Sequence, residues 1–113
     1  MLPKTRRLDK KSFTKHFGEG FFVSSPTLSL RVNPLKTHEI SRFSVVVPAK
    51  VTRNKPKRNT VKRRVYTIIQ SFYPSLRASV AGIVFVKKEG LEIPYKALEN
   101  ELKMLFAKAR LLN

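Results

Sequence analysis

The sequence contains no cysteine and no tryptophan, and it has few acidic residues or histidines. Without cysteine, the chain can form no disulfide, no cysteine-based zinc site and no thiol nucleophile. Its 7 aspartates and glutamates are scattered along the chain, whereas a protein nuclease that uses two metal ions needs clustered carboxylates. His16 and His38 are too few for a histidine-pair nuclease unless the fold brings them together. We therefore expect no catalytic residue and no tightly bound metal in the protein itself.

Long apolar segments are also missing from the sequence. No run approaches the roughly 20 apolar residues of a membrane-spanning helix, and the N-terminus lacks the apolar stretch of a signal peptide. A membrane partner is therefore disfavoured. The lack of cysteine is compatible with a location in the cytoplasm, which we take as the expectation.

Positive charge, by contrast, is abundant. The 113 residues include 24 lysines and arginines, which give a formal net charge of +17 at pH 7. Self-repulsion of that size is usually tolerated only where a polyanion neutralises it, so nucleic acid is the expected partner. An apolar content of 42% suits one small core. We expect residues 1–113 to form a single nucleic-acid-binding domain, without an obligate protein partner.

Apolar spacing and helix breakers predict three helices and about four strands. The helices are expected over residues 8–17, over about 57–73, and from Pro94 onward. The strands are expected over residues 21–23, 28–33, 42–47 and 80–86, and the last of these should be central. This order, α-β-β-β-α-β-α, predicts an α+β sandwich in which helices pack on one sheet of about four strands.

The helix predicted over 57–73 combines a core stripe with a cationic surface. Its apolar residues recur at helical spacing, and they are Val61, Val65, Ile68 and Phe72. At roughly 100° per residue, a second set falls on one polar face well away from that stripe, and it comprises Asn59, Lys62, Arg63 and Tyr66. Arg64 points to the other flank. The polar face is predicted to be available for RNA.

Lysine and arginine fill more than half of positions 50–64, and two interpretations of this run are open. It is either a solvated helix face without a ligand or a phosphate-binding surface. No acidic residue at helical spacing neutralises these cations, which favours phosphate binding. Arg58, in the first helical turn, can share a phosphate oxygen with the free amides of the helix N-terminus.

These residues resemble the protein subunit of bacterial ribonuclease P. The motif of that family is an Arg-Asn pair, two further residues, and then Lys-Arg on its second helix. Arg58-Asn59 and Lys62-Arg63 stand in that register, whereas Thr60 and Tyr66 stand where the family often has arginine. Upstream, Arg6-Arg7-Leu8 followed by Phe13 and Phe17 is similar to the N-terminal pattern of the family. The resemblance extends over nearly the whole chain.

The resemblance implies a ribonuclease P protein-like fold and a subunit of a ribonucleoprotein endoribonuclease. In that enzyme the RNA removes the 5′ leader of precursor tRNA with Mg²⁺ ions that the RNA mainly holds, and the protein alone is inactive. The implied partners are ribonuclease P RNA and precursor tRNA. The expected RNA-binding residues are Lys50, Arg53, Lys55, Lys57, Arg58, Asn59, Lys62, Arg63 and Tyr66.

The family also implies a cleft between the first helix and the sheet, where the unpaired 5′ leader lies. Aromatic stacking and a cationic track hold single strands of any sequence. The residues expected to form this cleft are Arg6, Arg7, Lys10, Phe13, Phe17, Leu28 and Leu30, and Arg31 is expected to continue it along the same strand. Periodicity alone favours a core position for Phe13 and Phe17, and only the resemblance favours the cleft, so both alternatives stay open.

Two other functions fit the size and charge of the chain. A small ribosomal or ribosome-assembly protein would bind structured RNA through phosphates and would need no leader cleft. A DNA-binding protein is less compatible, because no second helix closely precedes the basic one as in a helix-turn-helix.

Overall fold

In a computed structural model of the protein, the described residues are 20–35 and 40–112. They form four strands, β1 (Phe21–Ser24), β2 (Leu28–Pro34), β3 (Arg42–Val46) and β4 (Val80–Val86), and two α-helices, α1 (Lys55–Phe72) and α2 (Tyr95–Lys108). The predicted α+β fold with a four-stranded sheet is confirmed. The helix expected over residues 8–17 lies outside the described residues.

The strands are ordered β1-β2-β4-β3, so β4 is central as predicted. β1 pairs with β2 and β2 pairs with β4 in the antiparallel sense, whereas β3 pairs with β4 in parallel. Parallel neighbours require the chain to cross over between them, and α1 supplies that crossover. The loop after edge strand β3 leads directly into the N-terminus of α1.

The main core lies between one face of the sheet and the two helices. The predicted stripe of α1 is confirmed, because Val61, Val65, Ile68 and Phe72 are all buried. Three phenylalanine rings pack together in the core. The ring of Phe106 is centred 5.0 Å from that of Phe72 and 5.4 Å from that of Phe43.

Gly82 of β4 is fitted closely beneath one of these rings. A Cβ atom at this position would lie 2.6 Å from the ring of Phe43, so no other residue fits without displacing that ring. The glycine therefore lets Phe43 lie flat across the central strand, beside Phe106.

α1 begins at Lys55, two residues before the predicted start, because Asn54 caps it. The Lys57 amide donates to Asn54 Oδ1 at 3.1 Å, and proline at the second helical position needs no amide partner. At the other end the helix stops at Phe72, and a short 3₁₀ turn over Tyr73–Ser75 follows. Proline within that turn cannot continue the α-helical hydrogen bonds.

Leu28 and Leu30 do not belong to a nucleic-acid cleft, contrary to the sequence-based expectation. Both side chains are 0% exposed and pack in the main core under the helices. Side chains alternate between the faces of a strand, so Ser29 and Arg31 occupy the opposite side of the sheet. The prediction is therefore wrong for both leucines, whereas Arg31, the third strand residue expected in the cleft, lies on the side away from the main core.

Tyr66 is likewise internal, although it was expected on the polar face of α1. It is 9% exposed, and its hydroxyl accepts a hydrogen bond of 3.1 Å from the backbone amide of Val45. β3 is an edge strand, so the amides on its outer side have no neighbouring strand to pair with. The Val45 amide is one of these, and Tyr66 accepts its hydrogen bond. The Tyr66 hydroxyl therefore satisfies an amide at one edge of the sheet, and the side chain is not available to RNA.

α2 ends in a left-handed residue that is not glycine. Arg110 has a φ of 63°, which allows the Leu111 amide to donate to the Phe106 carbonyl at 2.9 Å. This geometry closes the helix C-terminus in the manner of a Schellman motif, where glycine is usual.

Candidate nucleic-acid interface

The exposed residues of α1 form a continuous polar surface over its first two and a half turns, which we call the cationic face. Its members share one side of the helix and are exposed to solvent, and they are Lys55, Lys57, Asn59, Thr60, Arg63 and Arg64. Arg64 belongs to this face although the sequence pattern placed it on another flank. The helical arc that is buried is wider than the four-residue stripe suggested, so the exposed arc is centred nearer to Arg64.

Two other predicted contact residues lie at the margin of this face. Arg58 and Lys62 are half-buried, one turn apart, on the line that continues through buried Val65 and Tyr66. The Nε atom of Arg58 is buried and has no hydrogen-bond partner among the described residues. Packing thus restrains both long side chains close to the point where the core ends.

The loop before α1 extends the cationic face. Lys50 and Arg53 are exposed, and the loop is ordered by backbone hydrogen bonds. The Val51 amide donates to the Pro48 carbonyl at 2.9 Å, and the Asn54 amide donates to Thr52 Oγ1 at 3.1 Å. Its cations are therefore presented from a defined turn.

The electrostatics of the α1 N-terminus are those of an anion-binding surface. The first turn contains no acidic residue, although carboxylates are favoured there by the helix dipole. Lys55 and Lys57 instead add positive charge to a helix end that is already positive. Within the described ranges 20–35 and 40–112, one ion pair reaches this face, between Lys57 and Glu92. A bound phosphate would relieve the remaining repulsion.

A second surface lies on the side of the sheet opposite the helices, and we call it the second face. Its residues face one another across paired strands, and they are Phe22, Ser29, Arg31 and Phe85, together with Ile83, whose side chain is buried. The guanidinium carbon of Arg31 lies 4.8 Å from the ring centroid of Phe22, which is 56% exposed. This face thus combines an accessible aromatic ring with a cation, the pair that single-stranded nucleic acid needs.

The sequence pattern indicates part of this face. Alternation along β2 places Ser29 and Arg31 together once the opposite parity is assigned to the core. Phe22 and Phe85 carry no such signal, because each lies in a short apolar run whose buried side the sequence leaves ambiguous. The other expected cleft residues, Arg6, Arg7, Lys10, Phe13 and Phe17, lie outside the described residues.

A groove connects the second face with the loop before α1. This cavity of about 610 Å³ is lined by Phe22 and Phe85 on one side and by Pro48 and Val51 on the other. Lys50, Lys87, Lys88 and Glu89 also line it. A strand bound on the second face could therefore run toward the cationic face past three lysines and one glutamate.

Two further features are absent from the described part of the chain, a metal-binding group and a membrane-spanning helix. Residues 20–35 and 40–112 contain no group of three or more histidine, cysteine, aspartate or glutamate side chains that could hold a metal ion. No helix in the same residues has the length and apolar character needed to cross a membrane.

Comparison with known proteins identifies the family. The sequence model of the Ribonuclease P family matches residues 2–110. The chain is 30% identical to the ribonuclease P protein component of Microcystis aeruginosa, with 99% of this chain and 97% of that protein covered. It is 28% identical to the same component of Synechocystis sp., over 99% of this chain and 91% of the relative.

Solved structures agree on the fold. The RNase P protein of Staphylococcus aureus superposes with a TM-score of 0.84 at 17% identity, covering 98% of this chain and 100% of that one. That of Thermotoga maritima gives a TM-score of 0.75 at 20% identity, covering 88% and 94%. From the family match over nearly its whole length, the chain belongs to the ribonuclease P protein family.

Proposed function

We propose that the chain binds ribonuclease P RNA through the cationic face of α1 and holds the 5′ leader of precursor tRNA on the second face of the sheet. Proteins of this family are subunits of the ribonucleoprotein endoribonuclease ribonuclease P, which acts in tRNA processing, and the chain has this role. Family membership does not favour the alternative of a ribosomal or ribosome-assembly protein. We further propose that it acts in the cytoplasm as a single RNA-binding domain.

The absence of acidic residues from the first turn of α1 is the observation that carries the proposal for the catalytic RNA. Exposed Arg63 and Arg64, with Lys55 more than two turns before them, give a row of cations that no described carboxylate neutralises. Such a row lowers the cost of bringing RNA phosphates together, because it replaces condensed counterions. Arg58 and Lys62 would contact phosphates from restrained positions at the edge of this row.

The proposal for the leader rests on the second face. Phe22 offers a ring on which a base can stack, while Arg31 lies against that ring and adds a cation near the path of the backbone. Neither contact reads a base edge, so leaders of different sequence would bind. The groove, lined by Lys50, Lys87 and Lys88 together with Glu89, gives the leader a path of net positive charge toward the cationic face.

The protein contributes positioning, and we assign the chemistry of cleavage to the RNA. When bound, Mg²⁺ supplies charge stabilisation at the scissile phosphate, and we propose that the RNA mainly holds it. The described residues do not fit a protein-held Mg²⁺ site, because their carboxylates are not grouped. Cations on α1 would instead lower repulsion between RNA segments, which reduces the Mg²⁺ concentration that the assembled enzyme needs.

Binding to ribonuclease P RNA across a salt series tests the role of the cationic face. Replacing Arg63 or Arg64 with alanine should lower affinity and reduce the slope of log K against log salt by about 0.7 to 0.9 for each lost phosphate contact. Lys103→Ala, which removes an exposed cation from α2, is the matched control and should leave the slope unchanged. Wild-type affinity and slope in both arginine variants would show that the face is only solvated.

A further inference from the structure

One carboxylate reaches the cationic face, and it comes from another part of the chain. Glu92, in the segment before α2, places Oε1 2.8 Å from Nζ of Lys57 in the first turns of α1. The side chains are 76% and 51% exposed, so the pair lies at the surface where RNA is proposed to bind. It joins positions 35 residues apart in sequence.

The other carboxylates of the described residues are engaged elsewhere or lie off this face. Glu99 pairs with Lys96 on α2 at 3.1 Å, and Glu101 accepts a hydrogen bond from Thr27. Glu89 lies in the short 3₁₀ turn over Lys88–Gly90. Glu92 is therefore the acidic group of residues 20–35 and 40–112 that holds a cation of the proposed RNA-binding face.

Without Glu92, the charge of Lys57 would be available to bind RNA phosphates. On the helix it lies three residues before Thr60 and seven before Arg64, so these three share one line of the exposed surface. The Lys57 ammonium donates to Glu92, and this hydrogen bond together with the attraction between the charges lowers the pKa of the Glu92 carboxyl. An exposed glutamate is ionised at neutral pH in any case, and the pairing with Lys57 favours this charged form further.

We propose that Glu92 is an affinity-limiting residue of the RNA-binding surface, which occupies Lys57 in place of a phosphate and repels phosphates from that flank of α1. This proposal rests on the proposed function of the cationic face. A phosphate that approaches Lys57 must displace Glu92 or share the ammonium with it. Either way, one potential contact is weakened and its contribution to the salt dependence is reduced. Glu92 would thereby favour RNA that contacts Arg63 and Arg64 over RNA that contacts α1 only beside Lys57.

The test measures binding of wild-type protein and Glu92→Gln to ribonuclease P RNA over a salt series. Glutamine keeps the size of the exposed side chain and removes its charge. We expect affinity at low salt to rise by about two- to fivefold, the range for one exposed charge pair, and the salt slope to steepen by about 0.7 to 0.9. Glu99→Gln, which releases Lys96 on α2, is the matched control and should produce neither change.

A double variant shows whether Glu92 acts through Lys57. In the Lys57→Ala background, Glu92→Gln should no longer steepen the slope, because the released cation is absent. An affinity and slope for Glu92→Gln equal to wild type, or a gain matched by Glu99→Gln, would overturn the proposal. Failure of the cationic face as a whole gives a different result, in which Arg63→Ala and Arg64→Ala also bind like wild type.

Discussion

Replacement of Tyr66 with phenylalanine separates a structural role for this residue from a role in RNA binding. The change removes one hydroxyl and keeps the ring that packs beneath α1. Its partner, the amide of Val45, belongs to a residue that is 4% exposed on edge strand β3, so it would lose its acceptor in a buried place. Tyr66→Phe should therefore destabilise the protein and leave its RNA-binding surface intact.

The size of the effect follows from the buried amide. Leaving a buried donor unsatisfied costs about 1 to 3 kcal/mol, more than the net value of an ordinary hydrogen bond. For a chain of this length each 1 kcal/mol lowers the melting temperature by roughly 4 °C, so we expect a decrease of about 4 to 12 °C. Urea unfolding should give the same loss of stability with an unchanged dependence on denaturant concentration, because the fold itself is kept.

Tyr95→Phe is the control for loss of a tyrosine hydroxyl. Tyr95 lies at the start of α2 and is 41% exposed, so its replacement should change stability by less than about 0.5 kcal/mol. Binding to ribonuclease P RNA, measured well below the melting temperature, should be the same for both variants and wild type. A Tyr66→Phe protein with wild-type stability but weakened RNA affinity would refute the internal placement of this side chain.

Three further changes test other parts of the account. Gly82→Ala should destabilise by about 1 to 3 kcal/mol in urea unfolding, since the new methyl group meets the ring of Phe43; a stability equal to wild type would contradict the close fit described for β4. Arg110→Gly should stabilise by roughly 0.5 to 1 kcal/mol, because glycine adopts the left-handed conformation without strain, and a loss of stability would contradict this. Phe22→Ala should weaken precursor-tRNA binding to the assembled enzyme by about 1 to 3 kcal/mol, while mature tRNA binds as before. An unchanged ratio of the two affinities would contradict leader binding on the second face.

The main helix and its core stripe are predictable from sequence because the spacing signal is strong there. Val61, Val65, Ile68 and Phe72 recur at helical intervals in a segment long enough to leave no competing strand pattern. β4 is predictable for a related reason, since a continuous apolar run favours a strand buried on both faces.

The position of Tyr66 could not be derived in the same way. Its helical angle lies near Asn59 and Arg63, and nothing local shows that an edge strand offers an unpaired amide within reach of its hydroxyl. That need arises from the position of β3 at the edge of the sheet, which is a property of the whole sheet.

The leader cleft shows a similar limit. Alternation in β2 groups Leu28 with Leu30 and Ser29 with Arg31, but it does not say which group faces the helices. The family resemblance implied a cleft on the sheet, and the large apolar residues were assigned to it. Burial of both leucines assigns the opposite parity. A rule that puts the larger aliphatic side chains in the main core would have excluded both leucines and kept Arg31 in the cleft.

Cleavage of precursor tRNA by ribonuclease P RNA, with and without this protein over a range of Mg²⁺ concentrations, tests the central claim most directly. We predict that the protein alone cleaves nothing, and that its addition lowers the Mg²⁺ concentration at which the RNA releases the 5′ leader, because protein cations replace part of the counterion requirement. Mg²⁺-dependent cleavage by protein that is free of RNA, or an Mg²⁺ requirement of the RNA that the protein does not change, would contradict the account.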